Sequence, residues 1–122
     1  MMRFLTVVFS LLASGVFAQS SVPTTDGAGA VLRSLDRITG QVLDFEVKNG
    51  DQFQRGKMNV VLRECRYPKS AIDRDAFAYM TIRDNDKEQD LFAGWMVASS
   101  PALSSLEHSR FDVWVLRCLA PS

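Results

Sequence analysis

From residue 42 onward, apolar and polar positions alternate along most of the chain. Val42, Asp44 and Glu46 fall on one side of an extended segment, and Leu43, Phe45 and Val47 on the other. That period of two is the signature of a half-buried strand. Lys48-Asn49-Gly50-Asp51 follows as a turn, since Asn-Gly tolerates positive φ. Phe53 folds back after it, and Gly56 marks a second bend. Residues 57–67 form the longest strand candidate. Met58, Val60 and Leu62 line one face, with Val61 and Cys65 on the other beside Asn59 and Arg63. Pro68 ends it, because proline cannot donate to a ladder, and residues 70–75 read as a polar loop. In residues 77–83, Phe77, Tyr79 and Thr81 stand opposite Ala78, Met80 and Ile82. An acidic turn at residues 84–87 then leads to a strand at residues 91–98, and antiparallel pairing of these two is the simplest topology. Residues 99–106 contain Pro101 and read as a loop with a helical turn. Residues 111–119 close the chain, with Phe111, Val113, Val115 and Arg117 on one face and Trp114, Leu116 and Cys118 on the other.

The pattern gives five main strands, no long helix and many turns. The expectation is a small all-β single domain, an antiparallel barrel or sandwich. Residues 31–37 are too short to assign, and read as a helical turn or an edge strand. Residues 19–30 are rich in Ser, Thr, Gly and Ala and read as a flexible arm, its Gly27-x-Gly29 serving flexibility and not nucleotide binding. The packed domain is expected over residues 31–119, with residues 120–122 as a tail.

The N-terminus changes this picture by assigning a compartment. Met1-Met2-Arg3 is a short positive start, residues 4–17 are almost wholly apolar, and Val16-Phe17-Ala18 ends in small residues at the −3 and −1 positions. This is the pattern of a secretory signal peptide over residues 1–18, cut between Ala18 and Gln19. The apolar run is shorter than the about 20 residues a bilayer span needs, and Ser10, Ser14 and Gly15 interrupt it. The expectation is therefore a periplasmic mature protein that does not span the membrane. In an oxidising compartment the two cysteines, Cys65 and Cys118, have one possible pairing, and a disulfide is expected. They have neither the spacing of a redox C-x-x-C pair nor enough companions for a zinc site. The chain carries 14 basic and 14 acidic residues, a balance that draws it toward neither nucleic acid nor an anionic membrane.

No catalytic constellation, metal set or cofactor motif stands out. The acidic group Asp84, Asp86, Glu88 and Asp90 fails the calcium-loop pattern, which puts Gln89 where glycine belongs and Trp95 where glutamate belongs. His108 is the lone histidine, with Ser99, Ser100 and Asp112 near it in sequence, but no Gly-x-Ser-x-Gly elbow is present. Its simpler role is to hydrogen-bond locally and anchor the 99–109 excursion. Tyr67, Phe77, Tyr79, Phe92, Trp95, Phe111 and Trp114 interleave with arginines, as in a single-strand stacking platform. Neutral charge and export speak against nucleic acid, leaving core packing for most of them and a contact patch for Trp95 and Trp114.

The run Gly94-Trp95-Met96-Val97-Ala98-Ser99-Ser100-Pro101-Ala102-Leu103-Ser104-Ser105-Leu106-Glu107-His108, with Phe111, Asp112-Val113-Trp114-Val115-Leu116 and Cys118, resembles the DUF2155 family of small exported alphaproteobacterial proteins. Leu32, Leu35-Asp36, Thr39-Gly40 and Cys65-Arg66-Tyr67 also fit, so the resemblance covers residues 31–118. It implies export and a bridged cysteine pair, and it brings no established activity. Members of the family often carry a charged residue after the last cysteine, where this chain has Leu119. The resemblance also implies a place beside a membrane complex, since such genes are associated with a small accessory subunit of the respiratory NADH–quinone oxidoreductase. The expected function is a non-catalytic periplasmic domain that binds an as yet unidentified envelope or membrane-complex protein. Its candidate surface is Trp95, Ser99, Ser100, His108, Asp112 and Trp114. The alternative is a small-ligand binder or hydrolase with its site near His108.

Overall fold

The computed structural model describes residues 23–104 and 106–121. Residues 1–18, read from the sequence as a signal peptide, lie outside the described residues. Strands β1 (Thr24–Asp26), β2 (Gly29–Asp36), β3 (Val42–Lys48), β4 (Gln52–Arg55), β5 (Met58–Pro68), β6 (Phe77–Asp84), β7 (Asp90–Val97) and β8 (Phe111–Leu119) form two antiparallel sheets. In the five-stranded sheet, β5, β6 and β7 pair in order, and β1 and β4 share the other edge of β5. The three-stranded sheet runs β3-β2-β8. A 3₁₀ turn, Pro101–Ser104, follows β7. No helix among the described residues is long and apolar enough to cross a membrane.

The fold is an all-β sandwich, and its core comes from the inward rows of both sheets. Val60, Leu62, Met80, Ile82 and Met96 of the larger sheet meet Leu32, Val47, Val113 and Val115 of the smaller one, all buried. The alternation in β3, β6 and the first half of β5 sorts inward from outward as the sequence predicts. The Asn49-Gly50 turn is present, with Gly50 at φ 87°, and Gly56 bends the chain at φ 58°. Phe53 does fold back, stacking on Phe45 with ring centroids 4.4 Å apart.

Four features differ from the sequence reading. The stretch read as a flexible arm is strand over Thr24–Asp26 and again from Gly29. Its glycines serve close approach: a Cβ on Gly29 would lie 2.2 Å from the Val47 carbonyl oxygen, and one on Gly27 would lie 2.8 Å from that of Leu119. Residues 31–36 are not an edge or a helical turn but belong to β2, the middle strand of the smaller sheet, and Arg37 opens the turn after it. Its run of buried residues is what a strand covered on both faces produces.

The two cysteines are also on the opposite face from the one alternation assigns. β5 carries a bulge at Arg63, where pairing shifts from Leu62↔Met80 to Glu64↔Tyr79. β8 carries one at Leu116, where Val31 pairs with Arg117 but Leu32 with Val115. One extra residue reverses every side chain that follows it. Both cysteines are thereby turned into the core, where Cys65 and Cys118 form a disulfide between the two sheets.

Candidate functional site

Residues facing inward on β6 oblige their neighbours to face outward. Phe77, Tyr79 and Thr81 therefore stand on the open face of the larger sheet, and register places Val97, Trp95 and Ala93 opposite them on β7. Trp95 is 44% exposed, one of few large apolar side chains so placed. Its ring meets that of Tyr79 edge to face at 5.2 Å, a favoured aromatic geometry. Behind it, the Ser104 hydroxyl donates to the Trp95 carbonyl and ties the 3₁₀ turn to the edge of β7.

Beside Trp95 lies a cavity of about 250 Å³ lined by Thr24, Arg66, Phe77 and Trp95. Arg66 is its fixed wall. Its Nε donates to Thr24 Oγ1 at 2.9 Å, and its Nη1 lies between the carboxylates of Asp26 and Glu64. Farther along the same face is a cavity of about 220 Å³ lined by Asn59, Val61, Arg63, Thr81, Arg83 and Asp90. A third, of about 250 Å³, lies elsewhere, lined by Pro101, Ala102, Asp112, Val113 and Trp114.

The sequence-predicted candidates do not form one site. Trp95 lines the first cavity, while Asp112 and Trp114 line the third. Ser99 is held by Asp75, which accepts its backbone N–H at 3.0 Å and its hydroxyl at 2.8 Å. Ser100 starts the 3₁₀ turn, its carbonyl accepting from the Leu103 N–H. Asp112 accepts from the Val113 N–H and pairs with Arg37 at 3.4 Å.

His108 is likewise committed to local structure. Its Nδ1 accepts the backbone N–H groups of Arg110 at 3.1 Å and Phe111 at 3.0 Å. That fixes the neutral ring with its proton on Nε2, which faces Asp84 Oδ2 at 3.7 Å. The ring stacks on Phe111, and the His108 carbonyl accepts from Arg37 Nη1. A base needs a free acceptor nitrogen within reach of the proton it takes, and Nδ1 is occupied.

Two elements escaped the sequence reading. The acidic turn is partly neutralised by bases from elsewhere, Lys57 with Asp86 at 2.7 Å and Arg83 with Asp90 at 3.1 Å. Asp36, only 4% exposed, accepts the N–H groups of Ile38 and Thr39 and pairs with Arg110 at 2.9 Å. The Arg110 guanidinium, with those two N–H groups, holds its carboxyl far below the usual carboxylate range despite burial. The Leu35-Asp36…Thr39-Gly40 spacing was the only signal, and it entered only as part of the family resemblance.

The family model of DUF2155, described as an uncharacterized protein conserved in bacteria, matches residues 30–118. The chain belongs to the DUF2155 family. The matched span runs from β2 to the disulfide cysteine of β8 and takes in the whole Trp95 face except β1. Within reach of this DUF2155 chain is an uncharacterized protein of Rickettsia prowazekii (strain Madrid E), 30% identical over 88 residues. That match covers 70% of this chain and 57% of the relative, so the chain spans little more than half the relative's length. No solved structure matches the DUF2155 chain.

Proposed function

We propose that the protein is a non-catalytic periplasmic binding domain whose contact face is the open side of the larger sheet around Trp95. The partner is an envelope or membrane-complex protein. The observation that carries this reading is the exposed Trp95, held rigid against Tyr79 beside the Arg66-walled cavity. Tryptophan, tyrosine and arginine are the residues on which interface energy concentrates, and a rigid anchor loses little entropy on binding. The leader-like N-terminus supports export, and the disulfide suits an oxidising compartment. A hydrolytic site at His108 has less support, since the Ser99 hydroxyl and His108 Nδ1 both have other partners.

The test is crosslinking and affinity capture of the tagged protein from its native envelope. A stoichiometric partner that survives salt and is lost on Trp95→Ala is the expected result. Capture that is indifferent to Trp95, or no partner at all, would remove this reading.

A further inference from the structure

The register of β7 fixes where its main chain points as well as its side chains. The Ala98 N–H donates to the Ala76 carbonyl, and these two residues stand opposite each other just past the Phe77↔Val97 pair. Hydrogen-bonded and non-hydrogen-bonded pairs alternate along an antiparallel ladder. Met96 and Gly94 therefore bond to β6, while Val97, Trp95 and Ala93 turn their N–H and C=O groups to the other side. No strand pairs with that side among the described residues. The 3₁₀ turn covers its far end, where the Val97 carbonyl accepts from the Ser100 N–H and the Trp95 carbonyl from the Ser104 hydroxyl. The Ala93 N–H and C=O and the Trp95 N–H have no partner among the described residues.

A row of unpaired main-chain groups is a template for another strand, and folded proteins blunt it with charge, proline, bulges or brevity. The other edges carry such devices. β1 and β4 have only three and four residues. β3 bears Asp44, Glu46 and Lys48. β8 is bulged, and the Asp112 carboxylate takes the Val113 N–H. β7 shifts register only at its start, beside Asp90, and its residues 91–97 include neither charge nor proline. Its side chains add a shape. Gly94 faces inward, and a Cβ there would stand 3.6 Å from the ring of Phe92. Phe92 and Leu91 pack on the core yet are only half-buried. On the outer side Ala93 is small and exposed, next to the exposed Trp95.

We infer that the edge of β7 receives an extended segment of the partner polypeptide as an added strand. The incoming main chain bonds the Ala93 N–H and C=O and the Trp95 N–H. An apolar side chain opposite Gly94 covers Phe92, and its neighbour, on the outer face, packs against the Trp95 ring. An extended backbone presents donors and acceptors at the spacing this edge leaves open, and alternate side chains set the choice of segment. The uncharged rim favours apolar side chains over ionic ones. This inference rests on the binding-face reading above and names how the partner engages it.

The experiment is an NMR titration with amide hydrogen exchange on the isotope-labelled, disulfide-bonded protein. The probe is an acetylated, amidated heptapeptide of alternating valine and threonine with serine at both ends. It is also made with a single N-methyl group at each amide in turn. The expected result is exchange at least tenfold slower at the Ala93 and Trp95 amides on saturation. N-methylation is expected to weaken binding at least tenfold at every second amide and to be neutral between, because only alternate amides of a strand face β7. Ala93→Pro removes an N–H that β6 does not use, so the ladder stays and binding is expected to be lost. Gly94→Lys, an inward-pointing charge at the edge, is expected to block binding with the fold intact. N-methyl effects without a period of two, protection at the edge of β3 or β8 instead, concentration-dependent protection without peptide, or no binding would each overturn the inference. Envelope capture that needs Trp95 but survives Ala93→Pro and Gly94→Lys would overturn it while leaving the binding face intact. Capture indifferent to Trp95 would remove the face itself.

Discussion

At the scale of single residues, the structure separates side chains that hold the fold from those that wait for a partner. His108 belongs to the first group. Replacing it with alanine leaves the exposed Arg110 N–H to water and the part-buried Phe111 N–H without its acceptor, and an unmet buried hydrogen bond costs about 1–3 kcal/mol. His108→Ala is expected to lower the urea midpoint by that measure and leave partner capture intact at temperatures where the variant is folded. Gly29 is stricter. An added methyl would meet the Val47 carbonyl oxygen at 2.2 Å and the Lys48 Cα at 2.8 Å, both backbone atoms that cannot rotate away. Overpacking of this kind costs about 1–3 kcal/mol and occasionally more. Gly29→Ala is expected to reach at least the top of that range, because β3 must leave β2 to admit it. An unchanged thermal midpoint would show that the strands separate freely. Trp95 behaves oppositely, since its truncation loses an exposed aromatic pair of about 0.5–1.5 kcal/mol and should register in binding.

At the scale of elements, what was legible is what alternation writes. The five strands with a clear period of two stand where the pattern puts them, because one buried face forces apolar residues to every second position. β2 was unreadable for the converse reason: buried on both faces, Ala30, Val31 and Leu32 show no period. The bulges at Arg63 and Leu116 leave no mark in hydrophobicity, so the sequence alone turned Cys65 and Cys118 the wrong way. For the candidate site, Trp95, Tyr79 and Phe77 could be grouped as aromatics on strands expected to pair, but the exact register that sets Tyr79 against Trp95, and the place of Arg66 and Thr24 in the cavity wall, are not contained in the sequence. Asp36 makes an element-scale prediction. It ties the β2–β3 turn to Arg110 at the entry of β8. Its folded pKa lies below its unfolded value of about 3.9. The stabilisation is therefore complete above that value and is lost as pH falls through it toward the folded pKa. Asp44 shifts the same way through Arg33, but in open solvent that pair adds little. Thermal midpoints measured from pH 7 to pH 2 should fall on the acid side, and Asp36→Asn should flatten that fall. A variant with the wild-type acid slope would assign it to other carboxylates.

At the scale of the whole molecule, the disulfide stands at the place where the chain crosses between sheets. Cys65 belongs to the larger sheet and Cys118 to the smaller. Beside them β1 gives way to β2, with the Gly27 N–H donating to the Cys65 carbonyl and the Ala28 N–H to that of Leu119. A domain this small has limited core, so a cross-link between its layers carries a large share of stability. The bridged residues are 53 apart in sequence, and the chain-entropy estimate for closing such a loop is about 4 kcal/mol. Set against the about 5–15 kcal/mol by which domains are stable, that loss leaves a marginal fold. Cys65→Ala/Cys118→Ala is expected to unfold at much lower denaturant, and protein made in a reducing cytoplasm to behave like it. Hydrogen exchange gives the local reading. The Gly27 and Ala28 amides should lose protection first, while Met80 and Ile82 at the centre of the larger sheet keep theirs until global unfolding. Uniform loss of protection would mean that the bridge acts only on the unfolded chain. Early loss at the crossing would mean that it also clamps the two sheets, and with them the β1 edge where Thr24 completes the wall of the Trp95 cavity.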